Sequence, residues 1–308
     1  RLSSLWMVET TLGNKRLKIE GLTRELTKSH FSKDERANEF RRRFVAHFLR
    51  YAQAHAKTTP EDFAALEAEK DNILSAMDVA FGLTDWSSVM RLMKAINLDG
   101  VHGLLTMHGY WDEAIQRGAQ AVAAAYADQN ETSIAVFAGN IAIIRQNRGE
   151  YDEAKQAYSQ AVAAFRKLGN ETNVAVGLHL LAVLAQNQGK VEEARRLYDE
   201  SLEIKKRLGD QSGIAITLHN LAVLAQAQGE SEEARRLYNE SLEIKKRLGN
   251  QSGIAITLGQ LGSLAEQEGD RAEAARLLRE ALSIFERLKS PNAEIVRRML
   301  ARLEDESS

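Results

Sequence analysis

Residues 211–250 read QSGIAITLHNLAVLAQAQGESEEARRLYNESLEIKKRLGN, and residues 171–210 read ETNVAVGLHLLAVLAQNQGKVEEARRLYDESLEIKKRLGD. The two stretches are identical at 28 of 40 positions. From Glu192 to Gly209 only Asp199 changes, to Asn239. The same interval extends outward in both directions. Glycine recurs at Gly109, Gly149, Gly189, Gly229 and Gly269. Five residues after each comes Ala114, Ala154, Ala194, Ala234 or Ala274, with a glutamate just before it (Glu113, Glu153, Glu193, Glu233, Glu273). A second punctuation, Asn130, Asn170, Asp210, Asn250 and Ser290, keeps the same spacing. Self-similarity at a fixed interval of this size marks an architecture of stacked supersecondary units.

Each unit reads as two helices. Ile214, Leu218, Leu221, Ala222 and Ala225 recur at spacings of three and four, which predicts a helix A over about 211–228. Ala234, Leu237, Tyr238, Leu242 and Ile244 predict a helix B over about 232–248. Asn, Asp and Ser suit helix N-caps, because a short side-chain oxygen accepts from an orphan backbone N–H. Gly169, Gly209 and Gly249 precede those caps, where a helix end favours a left-handed residue. Ala222 and Ala234 allow close helix approach, and Leu221 and Tyr238 fill the space beside them. One pair cannot bury its apolar face alone, so neighbouring pairs must stack. The last unit ends on Lys289-Ser290-Pro291, which predicts one more helix through about Leu303. Arg297, Arg298 and Arg302 make that helix a polar cap.

These residues resemble the tetratricopeptide family: a large then a small residue in helix A, a glycine turn, then alanine, aromatic and small residues in helix B. Leu221-Ala222, Gly229, Ala234, Tyr238 and Ser241 carry the match, as do Ala154–Tyr158–Ala161, Ala194–Tyr198–Ser201 and Ala274–Leu278–Ala281. The family's usual period is about 34 residues, and HEAT repeats of roughly 40–47 are the rival reading. The Gly-x-x-x-Glu-Ala signature favours the tetratricopeptide. The first unit is degraded, with His102 and Gly118 in place of the small and aromatic residues. The implied fold is all-α, a right-handed α-solenoid of about five helical hairpins with a C-terminal capping helix.

Residues 1–93 do not follow the period. Leu5–Thr11 and Arg16–Glu20 read as two strands around Leu12-Gly13-Asn14-Lys15, followed by a helix over about 22–30. This resembles the closing hairpin and helix of a winged-helix domain; a frayed helical leader is the alternative. A helix follows from Glu35 to His55, and Thr59-Pro60-Glu61-Asp62 starts another. Leu66-Glu67-Ala68-Glu69-Lys70-Asp71-Asn72-Ile73 resembles the stretch joining winged helix to tetratricopeptide sensor in STAND-type signalling ATPases. Those include the bacterial maltose-regulon activator group and, more distantly, NOD-like receptors. The helix over 43–54 and Gly109-Tyr110-Trp111-Asp112-Glu113-Ala114 are similar too. The reading divides the chain into a partial winged-helix-like segment (1–45), a helical linker (46–93), the repeat array (94–290) and a capping helix with tail (291–308). It implies an upstream ATPase domain in a parent protein. The first residues, Arg1-Leu2-Ser3-Ser4, carry no initiator Met, and a fragment of a longer chain is expected.

Composition narrows the function. Hydrophobic residues make up 44% and charged residues 27%, which is globular. Two prolines in 308 residues suit long helices. A net charge of −2 gives no electrostatic drive towards nucleic acid or an anionic membrane. The absence of cysteine excludes disulfides and thiolate chemistry and fits a cytoplasmic protein. No apolar run reaches the roughly 18 residues of a membrane span. No Gly-x-x-x-x-Gly-Lys-Ser/Thr loop occurs; Gly189-Lys190 lies in a repeat turn. The seven histidines form no His-Glu-x-x-His helix, and no metal or other cofactor is expected. An enzyme therefore has no supporting constellation. Lys205-Lys206-Arg207 and Lys245-Lys246-Arg247 fall in the last turn of helix B, where cations complement the dipole.

The resemblance implies that helix A lines a concave groove. Helix A positions off the packing stripe give Asn140, Gln146, His179, Gln186, His219, Asn220, Gln226 and Gln260 as the candidate ligand-binding residues, with Val136, Ile143, Val183, Ile216 and Val223 among them. Such a groove is neutral, amide-rich and partly apolar. Amides donate and accept, which suits a protein, a peptide backbone or an amide-bearing small molecule. A wet polar groove and, for His179 and His219, simple inheritance by duplication are the bland alternatives. The expected function is a non-enzymatic sensor module of a STAND NTPase; a stand-alone scaffold or adaptor is the second reading. A carboxylate clamp needs Lys or Arg in the groove, and the inward set holds neither.

Overall fold

The computed structural model describes residues 8–11, 16–19, 37–57, 59–97 and 102–305. It divides into two compact units, residues 1–130 and 131–308.

In the first unit, β1 (Val8–Thr11) and β2 (Arg16–Ile19) pair antiparallel, with Val8 opposite Ile19 and Thr11 opposite Arg16. The two expected strands therefore pair, while the turn expected between them and the helix expected over 22–30 lie outside the described residues. Six helices follow: α1 (Ala37–Ala54), α2 (Pro60–Ala68), α3 (Lys70–Gly82), α4 (Trp86–Asn97), α5 (Leu104–Met107) and α6 (Trp111–Ala127). Helix α1 packs on α3 and α4, and α4 on α6. Thr59 starts α2 as the sequence predicts: its Oγ1 accepts from the Asp62 backbone N–H at 3.2 Å, with Pro60 as the first helical residue. Glu67 ties the α2 end to the segment before α6. It accepts from the Tyr110 hydroxyl at 2.7 Å and lies 3.1 Å from Nδ1 of His108.

The second unit is a run of four hairpins and a last helix. The A helices are α7 (Glu131–Asn147), α9 (Glu171–Asn187), α11 (Gln211–Ala227) and α13 (Gln251–Gln267). The B helices are α8 (Tyr151–Lys167), α10 (Val191–Leu208), α12 (Ser231–Arg247) and α14 (Arg271–Arg287), and α15 (Asn292–Asp305) packs against α14. Each A helix packs on its own B helix, and each B helix on the next A helix. The caps are the expected ones. Asn170, Asp210 and Asn250 accept from the backbone N–H three residues on, at 3.1, 2.9 and 2.9 Å. Gly209 closes α10 with φ +71, and Gly229 turns the chain between α11 and α12 with φ +77. A Cβ is disfavoured at such angles.

Burial follows the three-and-four pattern. Ile214, Leu218, Leu221, Ala222, Ala225, Ala234, Leu237, Tyr238, Leu242 and Ile244 are all buried, and Tyr198 and Tyr238 are the largest side chains fully enclosed. Ser201 and Ser241 donate to the Ala175 and Ala215 carbonyls at 2.7 Å, so the small residue of helix B also binds the facing helix A backbone. Ion pairs one repeat apart reinforce the stack at its surface: Arg207 with Glu171, Arg166 with Glu200 and Arg195 with Glu230. Exposed pairs of this kind are each worth about 0–1 kcal/mol.

Candidate functional site

All eight candidate residues are half-buried on the A helices. Three of them are pinned by the neighbouring B helix. The hydroxyls of Tyr158, Tyr198 and Tyr238 donate to Oε1 of Gln146, Gln186 and Gln226 at 2.9, 2.8 and 2.9 Å. These glutamines satisfy buried phenols, whose pKa values burial pushes up, to about 12 at Tyr158. Their amide nitrogens remain for other partners, and at Gln226 that nitrogen donates to Gln267 at 2.9 Å.

His179 and Asn220 come together, with Nδ2 of Asn220 3.3 Å from Nε2 of His179. On the other side of the ring, Nδ1 lies 3.3 Å from Oγ1 of Thr217. Thr217 spends its own proton on the Gly213 carbonyl at 2.9 Å and accepts from Nζ of Lys205 at 2.9 Å. With the Asn220 amide donating to Nε2, the neutral ring donates from Nδ1 to Thr217. The next repeat repeats the cluster. Thr257 donates to Gly253 at 3.0 Å, accepts from Lys245 at 2.8 Å and lies 3.3 Å from Nδ1 of His219. There Gln260 stands where Asn220 stood, and Nε2 of His219 has no protein partner among the described residues. Each ring also meets a tyrosine edge-on, His179 on Tyr198 and His219 on Tyr238, with centroids 5.3 Å apart.

Burial and the adjacent lysine depress both imidazoles, to about 4. Burial also lowers Lys245, to about 8, and lowers Lys205 against the pull of Asp210. Both lysines are only 5% exposed. The basic runs do lie in the last turn of their B helices, as the sequence reading places them, but their members differ in burial. Lys206 and Lys246 pair at the surface with Glu203 and Glu243, whereas Lys205 and Lys245 turn into the stack. The helical phase explains the difference, since Lys205 and Lys245 lie four residues after the buried Ser201 and Ser241 and three after the buried Leu202 and Leu242.

Asn140 and Gln260 do not join these clusters. Each borders an apolar cavity, of about 280 Å³ beside Asn140 and about 250 Å³ beside Gln260. The residues that sequence reasoning missed are Thr217, Thr257, the two buried lysines, and the cavity residues Gly139, Phe165, Gly259 and Phe285. Their signal was available in the period: Gly139 and Gly259 occupy the His179 position, and Phe165 and Phe285 the Lys205 position. A row of exposed branched residues runs one per repeat along the A helices: Val136 and Val176 at the first cavity, Ile216, and Ile256 at the second. Among the described residues no cluster of His, Asp or Glu is arranged to hold a metal ion, and no helix is long and apolar enough to cross a membrane.

A family model described as tetratricopeptide repeat matches residues 133–207, 173–247 and 213–287 in overlapping register. No curated protein matches the chain in sequence. Several solved structures share the fold. BtubC (BKLC) from P. vanneervenii superposes with a TM-score of 0.57 at 18% identity, over 81% of this chain and 92% of that one. The apo quorum sensor NprR from B. thuringiensis superposes with a TM-score of 0.55 at 15% identity, over 92% and 74%. A Signal Transduction ATPase with Numerous Domains (STAND) protein with a tetratricopeptide repeat sensor, from Pyrococcus horikoshii, gives 0.58 at 13% identity, over 100% of this chain and 55% of that one. At these identities the likeness is one of fold.

Proposed function

We propose that this chain, which belongs to the tetratricopeptide repeat family, is a non-enzymatic sensor module that binds a protein or peptide on the A-helix face of residues 131–308. Tetratricopeptide repeats mediate protein–protein interaction. One observation favours the placement: Val136, Val176, Ile216 and Ile256, each 39–47% exposed, form an apolar row among half-buried amides, whereas the similarly exposed Leu168, Leu208, Leu248 and Leu288 stand at B-helix ends beside Lys and Arg. A solvent-exposed row of this kind, recurring with the repeat, is an unpartnered contact surface. The A-helix face is also neutral. The charged side chains of the A helices, Glu131, Arg145, Glu171 and Glu266, are each ion-paired, with Lys167, Glu150, Arg207 and Arg302.

The finer reading is that the module belongs to a cytoplasmic STAND signalling ATPase, whose upstream nucleotide-binding domain would respond to occupancy of the repeats. The Leu66–Ile73 stretch supports it, as does the fold shared with the Pyrococcus horikoshii STAND protein. In this reading residues 94–290 act as the array and residues 1–93 as its attachment to the ATPase.

The placement is tested by affinity capture from host lysate, followed by measurement of the captured partner's affinity. Ile216→Asp, on the A helix, should abolish capture. Leu208→Asp, at a helix B end and equally exposed, should leave it intact. Loss with Leu208→Asp and retention with Ile216→Asp would move recognition to the other surface. The STAND reading is tested separately by the coding sequence upstream, where a Gly-x-x-x-x-Gly-Lys-Ser/Thr loop is expected.

A further inference from the structure

Four junctions join one hairpin of the second unit to the next element. At the two inner junctions a histidine ring from the A helix fills the space over the B-helix tyrosine and reaches the next A helix at Thr217 or Thr257. At the two outer junctions the histidine is missing. Gly139 and Gly259 take its place, and each opens into a cavity, of about 280 and 250 Å³. The first cavity is homologous to the imidazole site in detail: Tyr158, Gly177 and Leu180 line it where Tyr198, Thr217 and Asn220 surround His179. A Cβ built on Gly139 or Gly259 would meet nothing within 4 Å, so close packing does not require glycine at either site. Glycine in a helix interior carries a conformational cost that alanine avoids. The unfilled space is thus retained against helix propensity, and the protein itself shows that a ring side chain fits there.

The chemistry of the floor has changed along with the vacancy. Phe165 and Phe285 replace the lysines, and no charged side chain lines either cavity. Ile256, Val296 and Met299 complete the second. Asn140, Tyr158 and Asn173 line the first and Gln260, Ser263 and Asn292 the second, but no charge does, so an ion would be left uncompensated while an aromatic or branched apolar side chain would pack on the phenylalanine. Each cavity is smaller than the several hundred Å³ of a drug-sized site and suits one side chain. The face between them is different: His219 offers an open acceptor at Nε2, and Asn140, Asn220 and Gln260 offer amides. A peptide backbone needs both kinds of group.

We propose that the cavities at Gly139 and Gly259 receive two bulky apolar side chains of one extended, uncharged peptide segment of a partner protein, whose backbone crosses the amide- and histidine-lined A helices between them. The proposal rests on the A-helix face being the binding surface. The cavities lie three A-helix steps apart. At about 8–10 Å per packed helix the span is roughly 24–30 Å. At about 3.3 Å per residue the two anchors fall about 7–9 residues apart in an extended chain.

The experiment selects displayed random 16-residue peptides on the whole chain and measures the affinity of the enriched sequences. The expected pool carries two aromatic or branched residues at that separation, with little charge between. Gly139→His and Gly259→His, which restore the side chain of the inner junctions, should each weaken binding at least tenfold. Gly139→Ala and Gly259→Ala, too small to fill the space, should retain it. Gly139→His should be silent towards a peptide whose matching anchor is already alanine. The two alanine variants should melt no lower than the parent, and Gly139→Leu and Gly259→Leu, which bring no polar atom onto the phenylalanine floor, serve as second fillings. A pool that binds, is lost with Ile216→Asp and ignores every glycine substitution overturns the two-anchor proposal and leaves the A-helix surface standing. Enrichment of charged, anchorless peptides overturns the proposal in the same way. Failure to enrich any peptide overturns both.

Discussion

The inner and outer junctions of the second unit are built on the same backbone with opposite contents. The inner two hold a lysine, a threonine and a histidine, with the lysine 5% exposed and the threonine fully buried. The outer two hold phenylalanine and glycine at the homologous positions and are hollow. A 40-residue helical hairpin thus tolerates either a polar cluster or an apolar cavity at its seam, because Ala, Leu and Tyr elsewhere carry the packing. At the His179 seam both ring nitrogens meet a partner, Thr217 and Asn220, and a satisfied network favours a single arrangement, whereas at the His219 seam Nε2 is open among the described residues. The apolar version leaves room for a side chain from outside.

The largest expected effect comes from the tyrosine that the two inner seams share with the Gly139 seam. Tyr238→Ala should cost about 3–5 kcal/mol, because it empties a fully enclosed site and strips Gln226 of its donor. Urea unfolding followed by circular dichroism reads it, with a transition that need not be two-state in a repeat array. If Tyr158→Ala, beside the cavity, costs as much as Tyr238→Ala, the hollow seam is as tightly packed as the polar one and the contrast fails.

A smaller effect separates the seams by pH. Each inner histidine binds its proton near pH 6.5 when unfolded and only near 4 when folded. Between those values the unfolded chain holds more protons, so stability is full above pH 6.5, declines as the pH falls and levels off below 4. About 2–3 kcal/mol is at stake for each ring. The melting temperature of the parent should drop across this window, and that of the His179→Gln, His219→Gln double variant should drop much less. Equal slopes would mean that the rings titrate normally and are open to water.

The smallest effect tests the buried lysines. Lys245→Met removes an ammonium held by one threonine and should be neutral or stabilising by about 1 kcal/mol at pH 7. Lys246→Ala, at the surface, should stay within about 0.5 kcal/mol. In the parent, stability should rise with pH between 8 and 10.5 as the folded lysine loses its proton first, and Lys245→Met should flatten that rise. A clear destabilisation by Lys245→Met would show that the charge itself holds the seam together.

The sequence alone determined the scaffold. A three-and-four apolar pattern admits only a helix, a glycine after it admits a left-handed turn, and an Asn or Asp beyond that supplies the next cap. These are local requirements, so Ile214 through Ile244, Asn170, Asp210 and Gly229 were legible one residue at a time. The groove positions were half legible. Phase placed Asn140, His179, His219 and Asn220 at the margin of the core, but it could not show that Tyr158, Tyr198 and Tyr238 already occupy Gln146, Gln186 and Gln226. Nor could it tell Lys245 from Lys246, or a helix glycine beside a cavity from one that brings two helices together, as Gly262 does where a Cβ would meet Leu278 at 2.8 Å. Those distinctions depend on what the next repeat presents across the seam, 12 residues away for Thr257 and 38 for His219. Only the stacked structure brings such residues together, because their meeting is set by helix-on-helix packing and not by the sequence on either side of them.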